Sequence, residues 1–137
     1  MHTFVDGELL TATTLNDALA AAKTEAIKDA DNRYTRIDLT PTHAAPPIAY
    51  LITDGVRCTL TMGHWSSTTK QPIAAYQTIN AWQLPKKYAP ANDVAAHISY
   101  GLGIVNVTAS GVIELYASKE ISKNTTLAIN LTWIAGL

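Results

Sequence analysis

His2, His43, His64 and His97 are the side chains of this sequence best placed to bind a metal or move a proton near neutral pH. Zinc sites draw His and Cys ligands from short fixed intervals, and these four stand far apart with no partner at such spacing. They read as core or surface histidines. Ser66 and Ser67 lack the flanking glycines of a nucleophile elbow. Asp54, Asp93, Glu114 and Glu120 form no recognisable pair, so acid–base catalysis would have to be assembled from unrelated segments. Tyr100-Gly-Leu-Gly103 has neither the third glycine nor the following helix of a dinucleotide fingerprint, and is read as a strand junction. No enzymatic activity, metal or cofactor is expected.

What remains is recognition. In GHWSSTTKQP, His64 and Trp65 leave a strand and enter a polar loop. There an indole can stack on the apolar face of a sugar while Ser, Thr and Lys bond its hydroxyls, or else Trp65 is a lid on the core. In QLPKKYAP, Tyr88 with Lys86 and Lys87 is the second candidate, suited to a phosphate-bearing cell-wall polymer. Pro85 and Pro90 bracket that stretch, cannot donate to a ladder and force extended geometry on the residues before them. The stretch is therefore expected to be mainly a rigid crossing between strands, with binding elsewhere. Trp82 and Trp133 fall within strand patterns and are expected in the core.

Composition narrows the partners. The 137 residues are 47% apolar and 15% charged with a net charge of −1, so the electrostatic footprint of a nucleic-acid binder is missing. Residues 1–40 carry 11 of the 21 charges, at net −3, and residues 41–137 carry the other 10, at net +2. A second part this poor in charge suggests a surface partly covered by a neighbouring chain. The lone Cys58 excludes an internal disulfide and shares a strand face with Val56, Leu60 and Met62. MHTFVDGELL has no basic n-region or long apolar run, so a soluble chain made in a cytoplasm, without membrane insertion, is expected. The Asn-x-Thr triplets at Asn106, Asn124 and Asn130 are ordinary in a Thr-rich strand protein.

Two kinds of element must position these residues. LLTATTLNDALAAAK predicts a helix over about 12–31, with Thr11 as cap and a staple between Leu10 and Leu15. Its apolar stripe, Leu15, Leu19, Ala22, Ala26 and Ala30, is narrow and buries little, so it must pack on the rest of the chain or on its own copies. From Arg36 the apolar period becomes two, clearest at Leu127, Ile129, Leu131 and Trp133. Eight strands follow, at about 36–40, 48–53, 56–62, 73–82, 94–100, 104–108, 112–117 and 126–134. Asp54-Gly55 predicts a type I′ hairpin turn and Ser110-Gly111 another tight turn. The fold class is mainly β: an N-terminal segment with a helix (1–35), then an antiparallel β-sandwich or jelly-roll-like domain of about eight strands (36–137).

FVDGELLTATTLNDAL, LPKKYAP and GIVNVTASGVIELYA follow one another in an order that resembles the C-terminal head domain of bacteriophage tail fibres and baseplate receptor-binding proteins. The likeness spans most of the chain, although Lys87 and Ala89 stand where many such heads have Gly and Arg. It implies a non-enzymatic homotrimer in the virion. Such a head binds a saccharide or cell-wall polymer on a bacterial surface, while the N-terminal segment meets other tail or baseplate proteins. A purely structural virion trimer and a free-standing carbohydrate-binding module are the alternatives.

Overall fold

A computed structural model describes residues 12–62 and 67–136, in two compact units, Met1–Tyr34 and Thr35–Leu137. In the first unit, helix α1 (Ala12–Arg33) is built from good helix formers. The expected cap at Thr11 and the Leu10 half of the staple lie outside the described residues. Leu15 and Leu19, the only leucines of the stripe, are 46% and 60% exposed. Among the described residues, no helix is long and apolar enough to cross a membrane.

The second unit is a sandwich of two four-stranded antiparallel sheets. The first sheet has the order β1 (Thr35–Leu39), β2 (Ala49–Thr53), β3 (Arg57–Met62), β8 (Ile129–Ile134). The second has the order β4 (Thr78–Gln83), β7 (Val112–Ala117), β6 (Gly103–Val107), β5 (Val94–Ile98). In that second sheet β5, β6 and β7 form a meander and β4 lies beside β7, a Greek-key arrangement. Register places the apolar side chains in rows across each inner face. Leu51 stands opposite Leu60 and Leu60 opposite Leu131, while Ile79 and Val105 flank Leu115. The two inner faces form one core, in which Trp82 and Trp133 are both buried. Isolated bridges Pro41–Trp82 and Pro90–Ala135 tie one sheet to the other.

Three local departures from strict period-two alternation have identifiable causes. The strand expected over 73–82 begins only at Thr78, because Tyr76 adopts a left-handed φ of 63° that no strand accommodates. Within β4 a bulge between Asn80 and Trp82 turns both Ala81 and Trp82 inward, and Thr42 satisfies the freed carbonyls of Asn80 and Ala81. The strand expected over 94–100 ends at Ile98, where the chain turns through Tyr100 at φ 60° and Gly101 at φ 64°.

The hairpin between β2 and β3 is not the expected type I′ turn, since only Gly55, not Asp54, has positive φ. The Asp54 carboxylate instead closes the loop by accepting the amides of Val56 and Arg57 at 2.9 and 2.8 Å. Those amides hold the Asp54 carboxyl below its ordinary pKa. Val56 is consequently an exposed loop residue and not a member of the Cys58 face. Cys58 itself is buried, and burial pushes its thiol pKa up. At Ser110-Gly111 the turn forms as expected, with Gly111 at φ 88° donating to the Thr108 carbonyl at 2.9 Å.

Candidate recognition surface

His64 and Trp65 lie outside the described residues. Of the polar residues that follow them, Lys70 is exposed, while Ser67 and Thr69 are turned inward. Ser67 is buried and its hydroxyl donates to the Ile48 carbonyl at 2.9 Å. Thr69 is also buried; its hydroxyl donates to the Ser122 carbonyl at 2.8 Å and accepts the Thr125 amide at 2.9 Å. Ser67 ties the loop to the residue before β2 and Thr69 ties it to the segment before β8, so both hydroxyls are committed inside the domain.

Lys86 and Tyr88 share a single 3-10 turn, Lys86–Tyr88, in the middle of the QLPKKYAP stretch. That stretch joins β4 to β5, which occupy opposite edges of the second sheet, and it is anchored in both layers. The Leu84 amide donates to Gly111, the Trp133 indole donates to the Tyr88 carbonyl at 2.7 Å, and the Gly136 amide donates to Ala89 at 2.7 Å. The Tyr88 ring is half-buried against the core with the Lys87 ammonium 5.0 Å from its centre. Lys86 and Lys87 remain exposed, so the crossing offers two cations but little free aromatic surface. Among the described residues, no three His, Cys, Asp or Glu side chains gather where a metal could bind. His43 accepts the Ala45 amide through Nδ1, and His97 is exposed on β5.

No family model and no curated protein matches this chain.

Tyr76 and Tyr100 are not among the residues expected to bind. They are 76% and 85% exposed, and both sit in the left-handed region. For a bulky side chain that conformation costs on the order of 1–3 kcal/mol. Asn124 at φ 65° is the third such residue, but asparagine is a type that tolerates it. Both tyrosines stand at one end of the second sheet, on either side of the last residues of β7. The Tyr76 amide donates to the Ala117 carbonyl at 2.7 Å. On the other side, the Ser118 hydroxyl donates to the Gly101 carbonyl at 2.8 Å and the Ser118 amide to the Leu102 carbonyl at 3.0 Å. Gly103 fixes this end of β6, since a Cβ there would run into the Tyr116 carbonyl. The adjacent Tyr-Gly pair was a signal for Tyr100. Tyr76 had none, because Ile73 to Trp82 reads as uninterrupted strand.

Proposed function

We propose that the protein is a receptor-binding head of a phage tail or baseplate, which holds a saccharide on the bacterial surface and performs no chemistry on it. It works in the virion as a homotrimer after synthesis in the host cytoplasm, and its N-terminal segment joins it to other tail proteins. The observation that carries this reading is the division of the chain into a helical unit with uncovered leucines and a self-contained sandwich. A helix with so narrow an apolar stripe draws most of its stability from packing, and packing on its own copies in a tail assembly would supply it. The sandwich has its own core and bridges between its layers, and calls for no partner chain in order to fold. Attachment by one unit and recognition by the other is the economical use of such a chain.

The test is attachment of fluorescently labelled protein to a panel of intact bacteria, with purified cell-wall saccharides as competitors. Strain-selective attachment displaced by saccharide is the expected result. Attachment to no strain favours a structural virion component, and saccharide-competed binding by a single-chain species favours a free-standing carbohydrate-binding module.

A further inference from the structure

We propose that Tyr76 and Tyr100 form an aromatic clamp for a neutral oligosaccharide at the end of the sheet β4-β7-β6-β5. The proposal rests on the receptor-binding reading and assigns that function a site. A tyrosine held in the left-handed region is strained, and at 76% and 85% exposure neither ring buries enough apolar surface within the chain to offset that cost. A glycine would adopt either backbone without strain, as Gly101 does at φ 64° beside Tyr100. The feature these positions supply that glycine cannot is a rigidly mounted aromatic ring in water.

Their spacing fits more than one sugar. Tyr76 precedes β4 and Tyr100 precedes β6, strands that stand about two strand spacings, or ~10 Å, apart with β7 between them. Pyranose rings present apolar C–H faces to tyrosine rings, and the phenol hydroxyls add hydrogen bonds at the wet end of each ring. The residues that leave β7 between the tyrosines, Lys119 and Glu120, are exposed and of opposite sign, so this rim favours a neutral ligand over a polyanion. The outer row next to the rim continues the surface: His97 stands opposite Ile104, and Ile104 opposite Tyr116.

The experiment uses the full chain against an array of purified bacterial cell-wall and capsular oligosaccharides. Tyr76→Gly and Tyr100→Gly are each expected to weaken binding of the saccharide that the unchanged protein selects by about tenfold. Their thermal midpoints should stay level or rise, because glycine accepts the left-handed backbone. Arg36→Ala, on β1 of the other sheet, should leave affinity unaltered. If the glycine variants do not fold, Tyr76→Asn and Tyr100→Asn, which also tolerate that backbone, serve the same readout. Undiminished affinity in the folded tyrosine variants overturns the clamp while leaving receptor binding intact. Weaker binding accompanied by a smaller solution mass also overturns it, since the tyrosines would then be an interface between copies. If the unchanged protein binds nothing on the array, the receptor-binding reading falls and takes the clamp with it.

Discussion

Two buried tryptophans separate packing from hydrogen bonding within one core. The Trp133 indole donates to the Tyr88 carbonyl, whereas the Trp82 indole nitrogen is buried with no partner among the described residues. Replacing either by Phe removes similar volume, but Trp133→Phe also orphans a carbonyl that tethers the β4–β5 crossing. Trp82→Phe, by contrast, removes an unsatisfied donor. Trp133→Phe is therefore expected to destabilise the fold by about 2 kcal/mol more than Trp82→Phe in denaturant titrations. Equal losses would mean that the Trp133–Tyr88 bond contributes nothing. At this scale the sequence was only partly legible. The tryptophans show their burial through the alternation around them, while a hydroxyl such as Thr69 reads the same whether it faces a sugar or the Ser122 carbonyl. The left-handed backbone of Tyr76 leaves no trace in residue type, because tyrosine is a good strand former.

At the scale of elements, most strand positions follow from periodicity, because a buried face repeats over several residues, and helix α1 follows from its run of helix formers. Boundaries failed where one residue overrode the pattern. The bulge at Ala81 points consecutive side chains inward, and the Asp54 carboxylate makes an Asx-closed loop from a dipeptide that usually makes a type I′ turn. The helix carries the association prediction. Leu15 and Leu19 fall four residues apart on one stripe, the spacing of a short coiled-coil seam. Leu15→Glu with Leu19→Glu is expected to reduce the species seen by light scattering from three chains to one. The melting of the sandwich should change little, because its core lies within Thr35–Leu137. An unchanged mass would place the contact between copies elsewhere.

For the whole molecule, the chain divides into a helical unit and a sandwich whose two β layers share one core, the division on which the proposed receptor-binding head rests. The two sheets were legible in outline because eight short strands without intervening helices have few other ways to bury one face. The proposed tyrosine site was not. It depends on β4 and β6 beginning on either side of the end of β7, an adjacency that strand order creates and linear spacing hides. The claim that this head binds a saccharide without altering it is tested most directly by saturation-transfer NMR. The protein is incubated with the saccharide that best competes for cell attachment. Transfer from aromatic protons to the sugar is expected, with a sugar spectrum unchanged after prolonged incubation. No transfer, or the appearance of new reducing ends, would contradict the claim.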